Sequence, residues 1–144
     1  MLKVKLTQIR ICIIGLGYVG LPLAIAFSKY FSVTGFDLNE SRIKDLKNNV
    51  DYTNEVTSSI LKKSKCSFTS KLSDIKDCNL FIVTVPTPIF ANRKPDLGPL
   101  KSSSQMIGSI IKKGDTVVFE STVYPGATEE VCIPIIEKRS SLKL

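Results

Sequence analysis

The sequence predicts an α/β domain, a doubly wound parallel sheet in the order 3-2-1-4-5 with helices on both faces. Three observations point there. Strand-like apolar segments alternate with helix-like ones along the chain, the arithmetic of successive βαβ units. Three glycines, Gly15, Gly17 and Gly20, punctuate the first strand-to-helix junction. An acidic residue, Asp37, closes the second strand-like segment at about the 20-residue distance that goes with such a junction.

The first strand covers residues 10–14, where Ile11-Cys12-Ile13-Ile14 is an unbroken apolar run. A helix over 18–29 follows, and the second strand, 32–36, lies in the apolar segment Phe31-Ser32-Val33-Thr34-Gly35-Phe36. After a helix over 40–48 comes the least regular stretch, 49–65, which mixes polar residues with Val56, Ile60 and Leu61 and has room for a short helix. Strands over 67–69, 79–85 and 116–120 and helices over 100–112 and 127–138 complete the alternation. With no internal repeat and no low-complexity linker, residues 1–144 read as one domain.

The glycines each answer a different need. Gly15 makes the tight turn, Gly17 lets backbone approach a pyrophosphate, and Gly20 lets the helix pack closely on the strand. The helix opening near Tyr18 and Val19 aims its free N–H groups and positive dipole end at phosphates. The Asp37 carboxylate can accept hydrogen bonds from a ribose 2′-hydroxyl and repels a 2′-phosphate, which favours NAD over NADP. Two plainer readings compete. Lys3, Lys5 and Arg10 precede an uncharged stretch ending in Ala24-Ile25-Ala26, as in a secretory signal or membrane span, but three glycines and Pro22 interrupt it and the βαβ pattern runs through it. A glycine turn in an unrelated α/β fold would not need an acidic residue in register.

Composition narrows the function classes. A chain of 144 residues with 43% hydrophobic residues suits one packed domain, and is short for an enzyme carrying both a cofactor and a substrate domain. No second apolar run is long enough for a membrane, so the expected setting is cytoplasmic, without a membrane partner. The net charge of +7 comes from scattered lysines with no aromatic-interleaved platform, which argues for solvated faces and against a nucleic-acid partner. Cys12, Cys66, Cys78 and Cys132 lack metal-binding spacing, and there is no histidine, so no metal site is expected and the commonest general base is missing. Cys12 and Cys78 read as buried, reduced thiols.

Two further loops fall at strand ends, where ligands of such sheets bind. Val85-Pro86-Thr87-Pro88 follows the fourth strand; its prolines fix the backbone, leaving Thr87 to offer a hydroxyl and an amide to the cofactor, or simply forming a rigid turn. Glu120-Ser121-Thr122-Val123-Tyr124-Pro125-Gly126 follows the fifth, placing Ser121 and Thr122 towards the same crevice. Thr128, ahead of Glu129 and Glu130, reads as a helix cap.

Together, Gly15-Leu16-Gly17-Tyr18-Val19-Gly20-Leu21-Pro22-Leu23-Ala24, Phe36-Asp37 with Arg42-Ile43, Val85-Pro86-Thr87-Pro88 and Glu120 to Gly126 closely resemble the nucleotide-sugar 6-dehydrogenases, which act on UDP-glucose, UDP-N-acetylhexosamines and GDP-mannose. Pro95-Asp96-Leu97-Gly98-Pro99-Leu100 and Tyr124 to Glu130 look most like the UDP-N-acetylhexosamine branch, which supplies uronic acids for bacterial surface polysaccharides. The resemblance covers essentially the whole chain but only the amino-terminal part of family members. It implies a Rossmann-like NAD-binding domain lacking the sixth strand and the C-terminal domains, where family members carry a catalytic glutamate, lysine, asparagine and cysteine nucleophile. None of the four cysteines here matches that nucleophile. The piece alone is therefore expected to be inactive; whether it is an excised domain or a truncated product stays open.

For the whole enzyme the resemblance implies two hydride transfers to NAD, turning the C6 alcohol of a UDP-sugar into a carboxylate through a thioester. It also implies a homo-oligomer, built largely through the absent central helix. Carried over, Gly15, Gly17, Tyr18, Val19 and Gly20 cradle the pyrophosphate, Asp37 holds the adenine ribose, and Arg42 packs near the adenosine. Thr87 and Thr122 contact the cofactor deeper in the crevice. Thr122 also matches a threonine that positions the catalytic water, a cofactor contact or strand-end hydrogen bond being an equal alternative. The runner-up is a stand-alone dinucleotide-responsive binding or regulatory module. A dehydrogenase of the β-hydroxyacid type is not favoured by the two loops.

Overall fold

A computed structural model describes residues 8–143; Lys3 and Lys5 of the signal-like reading lie outside them. Five parallel strands form one sheet in the order β3-β2-β1-β4-β5: β1 is Arg10–Ile14, β2 Ser32–Phe36, β3 Ser67–Thr69, β4 Leu80–Val83 and β5 Thr116–Phe119. The expected fold class and strand order are those observed. The apolar β1 run occupies the centre, where helices cover both faces of the sheet, and Ile11 to Ile14 are all buried.

Period-two alternation splits the core into two layers. Ile11, Ile13 and Val33 face α1 (Gly20–Phe27) and α2 (Glu40–Lys47), meeting Leu21, Ile25, Ile43 and Leu46. Cys12, Ile14, Phe36, Phe81 and Val83 face the other way, onto Leu100 and Ile107 of α4 (Gly98–Gly108) and Ile136 of α5 (Ile133–Ser140). The register aligns Ile14 with both Phe36 and Val83, and Val83 with Phe119. The loops leaving β1, β2, β4 and β5 therefore emerge side by side along one edge.

Local sequence explains most boundaries. The Asn39 side chain accepts the Arg42 N–H at 3.1 Å and caps α2, with Glu40 in its first turn and Lys44 and Lys47 in its last, matching the helix dipole. The irregular 49–65 segment does hold a short helix, α3 (Ser58–Lys63). Helix α1 begins at Gly20, two residues later than expected, because Tyr18 and Val19 remain in the turn with their side chains exposed.

The final helix departs most from expectation. It opens with a wide π turn over Thr128–Cys132, the Ile133 N–H returning to the Thr128 carbonyl, and becomes α-helical only from Ile133. Pro134 supplies no N–H at this junction, so an ordinary ladder cannot run through it. Thr128 heads this turn and does not cap it; Ala127 precedes it, and no side chain caps it. Two small elements were not anticipated: a 3₁₀ turn at Leu72–Ile75 and an antiparallel bridge between Ile89 and Pro95.

β5 is an edge strand in which Thr116 is exposed and Val117 to Phe119 are only half-buried, and a hollow of about 670 Å³ lined by Phe119, Ile133 and Ile136 lies beside it. No helix among the described residues is long and apolar enough to cross a membrane.

Candidate functional site

The site begins with the peptide that leaves β1. Gly15 has φ +93°, a left-handed conformation that L side chains rarely adopt, and its N–H donates to the Phe36 carbonyl at 2.9 Å. Gly20 packs hard against the same turn: a Cβ there would stand 1.8 Å from the Gly15 carbonyl oxygen. Gly17 is the opposite case, since a Cβ there would meet nothing within 4 Å. That open front, ahead of a helix with neither a side-chain cap nor an acidic residue in its first turn, suits an approaching pyrophosphate.

Asp37, one residue past β2, holds the loop from the side. Its Oδ2 accepts the Leu16 N–H at 2.8 Å and its Oδ1 accepts the Asn39 N–H at 2.9 Å. Each carboxylate oxygen keeps lone-pair capacity for ribose hydroxyls. A crevice of about 400 Å³ opens between Asp37 and Leu38 on one side and Val85, Pro86 and the first turns of α4 on the other. Its size and largely apolar walls suit a purine, and with the open Gly17 and the acceptor at Asp37 the residues present fit a dinucleotide.

The strand-end loops are stitched together. Thr87 Oγ1 donates to the Thr122 carbonyl, and Ser121 Oγ to the Val85 carbonyl, both at 2.7 Å. The Thr87 hydroxyl thus joins the two loops. Thr122 is exposed at that junction.

Arg42 sits elsewhere, behind the glycine turn. Its side chain is fully buried, its Nε donates to the Leu16 carbonyl at 2.9 Å, and its Nη1 stands 2.8 Å from Asp51 Oδ1. The Tyr52 ring covers the guanidinium, its centroid 4.2 Å from Cζ. Asp51 also accepts the Thr53 N–H and hydroxyl and the Glu55 and Val56 N–H groups. Burial opposes ionisation of Asp51, but the hydrogen bonds from the Thr53 hydroxyl, Val56, Arg42 and the Thr53 N–H overcome it and hold the carboxyl at about 2, below its ordinary 3.8.

Because that carboxyl is more acidic folded than unfolded, its contribution is complete above about pH 4 and is lost as pH falls through about 2. Asp51→Asn is expected to remove on the order of 2 kcal/mol of this acid-sensitive stability. Urea unfolding followed at several pH values between 2 and 6 checks it; an unchanged pH slope would refute the assignment.

Sequence reasoning did not single out Thr84. Its hydroxyl lies 2.7 Å from the Gly15 carbonyl oxygen and 3.1 Å from that of Ile14, bracing the turn from the β4 side. Its place as the first polar residue after the apolar fourth strand was the available signal. Leu16 is a second omission, an apolar residue whose two backbone groups are both held. Cys12, Cys66 and Cys132 hold their protons more tightly than a free thiol: the hydrogen bond that Cys12 donates to Cys78, together with burial, raises Cys12, and burial raises Cys132 and pushes Cys66 up to about 12, whereas the bond received from Cys12 lowers Cys78. No group of three or more His, Cys, Asp or Glu that could hold a metal occurs among the described residues.

A family model for the UDP-glucose/GDP-mannose dehydrogenase family, NAD binding domain, matches residues 9–144. The chain is 53% identical over 137 residues to the UDP-N-acetyl-D-glucosamine 6-dehydrogenase of Pseudomonas aeruginosa, a match covering 94% of this chain and 32% of that protein. It is 51% identical over 136 residues to the enzyme of that name from Salmonella typhi, again covering 94% and 32%. Among solved structures it is similar to a UDP-D-ManNAc dehydrogenase from Pyrococcus horikoshii, with TM-score 0.86 and 32% identity over 94% of this chain and 34% of that one. A GDP-mannose dehydrogenase from Pseudomonas aeruginosa, solved as a ternary complex, matches with TM-score 0.85 and 30% identity over 94% and 33%. The chain thus spans about a third of the length of the curated relatives it matches.

Proposed function

The chain belongs to the UDP-glucose/GDP-mannose dehydrogenase family as its NAD-binding domain, and from that premise we propose that it is the NAD-binding part of a UDP-N-acetylhexosamine 6-dehydrogenase. The whole enzyme would oxidise the C6 alcohol of the sugar to a carboxylate, in the cytoplasm and as a homo-oligomer, to supply uronic acids for surface polysaccharides. The identity of just over half to two UDP-N-acetyl-D-glucosamine 6-dehydrogenases supports that branch. Bound NAD supplies the hydride acceptor.

The chain's own residues bind and orient the cofactor. The backbone of Gly15, Gly17, Tyr18, Val19 and Gly20 receives the pyrophosphate, and Asp37 receives the adenine ribose. Thr87 and Thr122 stand where the cofactor passes the ends of β4 and β5. Thr122 is the one residue here proposed to act in catalysis, by positioning water, with a plain cofactor contact as its alternative. Arg42, buried behind the glycine turn, supports the site from within and does not face the adenosine.

The single observation that carries the cofactor reading is the Asp37 carboxylate bound to the Leu16 N–H, which puts a carboxylate acceptor beside an open glycine turn. Calorimetric titration is expected to give saturable binding of NAD and weaker binding of NADP. Asp37→Ala is expected to cost about 1–3 kcal/mol of NAD affinity, as charge-assisted ribose bonds and the anchor of Leu16 are lost together. Equal NAD affinity in the variant would overturn the ribose assignment.

A further inference from the structure

We propose that Arg42, locked by Asp51 and Tyr52, is a positioning residue that turns the Gly17 N–H towards the pyrophosphate. The inference rests on the dinucleotide reading above and assigns Arg42 a role other than contact with the adenosine.

The Leu16 carbonyl and the Gly17 N–H belong to one planar trans peptide, so they point in opposite directions. Arg42 Nε holds that carbonyl inward at 2.9 Å. The Gly17 N–H is thereby directed away from the core, on the residue where a Cβ would meet open space. Asp37 fixes the preceding peptide by its N–H, so both backbone groups of Leu16 are held by charged side chains. Leu16 itself is buried and cannot swing out.

Arg42 is in turn held by its neighbours. Asp51 pairs with Nη1 while taking three backbone N–H groups and one hydroxyl from residues 53–56, which ties the guanidinium to a loop outside the cofactor site. The Tyr52 ring lies against the guanidinium carbon. Neither charged side chain has any exposed surface, so water cannot substitute for the bond to Leu16. A donor fixed in advance spares a ligand the cost of ordering the turn.

The test separates phosphate from nucleoside. Arg42→Lys keeps a cation for Asp51 and loses the Nε donor geometry. ADP affinity is expected to fall about tenfold while adenosine affinity, followed by NMR titration, changes less than about twofold. Asp51→Asn is expected to act in the same direction, and thermal unfolding checks that each variant is folded. In the unaltered chain, which needs no substitution to fold, the Gly17 amide resonance is expected to shift with ADP and not with adenosine. Equal losses for ADP and adenosine in Arg42→Lys, unchanged ADP affinity in both folded variants, or a Gly17 amide indifferent to ADP would overturn the proposal. An unaltered chain that binds neither ADP nor NAD would overturn the dinucleotide reading itself, and this inference with it.

Discussion

Gly20→Ala is expected to destabilise the chain by about 3 kcal/mol or more, placing it among the severe single substitutions. The added Cβ would lie 1.8 Å from the Gly15 carbonyl oxygen and 2.4 Å from Thr84 Oγ1. Neither is the free end of a flexible side chain. The Gly15 carbonyl belongs to a turn pinned by the Phe36 carbonyl on one side and the Thr84 hydroxyl on the other. Many dinucleotide-binding turns accept alanine at the third glycine, but this turn is too tight for it. Gly17→Ala is the matched control: with nothing within 4 Å of its Cβ, it should leave the urea midpoint almost unchanged and impair only nucleotide binding. A Gly20→Ala variant as stable as the parent would show that helix α1 can withdraw from the turn.

The second large effect is expected at Arg42. Arg42→Met preserves most of the aliphatic length but leaves the Asp51 carboxylate, with no exposed side-chain surface, without its cation. Removing one partner of a buried ion pair costs about 3–5 kcal/mol. The hydrogen bonds that Asp51 takes from residues 53–56 soften the loss, so the lower end is expected. The Leu16 carbonyl loses its donor at the same time. Denaturant unfolding measures the sum, and a cost below about 1 kcal/mol would mean that residues 51–56 repack and ionise outside the core.

Much of this molecule was legible because its informative residues are close in sequence or strongly periodic. Residues 10–14, 32–36 and 67–69 form strands as expected, and the alternation of segments predicts the sheet order. β4 and β5 stop earlier than expected because Thr84 and Glu120 turn into the loops: the Thr84 hydroxyl reaches the Gly15 carbonyl. The glycine turn and Asp37 were readable from spacing alone, since a tight turn and a distant carboxylate follow a geometric rule.

What escaped depends on contacts that spacing does not encode. Asp51, Tyr52 and Thr53 stand in an irregular polar stretch, and nothing in their pattern says that a charge nine residues earlier is buried beneath them. The π turn at Thr128–Cys132 was hidden because Thr-Glu-Glu is equally good at the start of an ordinary helix. Thr87 was readable as a loop residue, but not as the donor that ties its loop to Thr122.

The central strand has a consequence for synthesis on the ribosome. All four strand pairings are parallel, so none can close as a local hairpin. β1 emerges early and finds β2 soon afterwards, but its other edge waits for β4: Arg10 donates its N–H to Asn79 Oδ1, 69 residues away. Through that interval the nascent chain carries Ile11 to Ile14 with one edge unpaired, the kind of segment that chaperones shield. Slowing translation between residues 37 and 79 should therefore lower the yield of soluble protein more than slowing it after β4 has emerged.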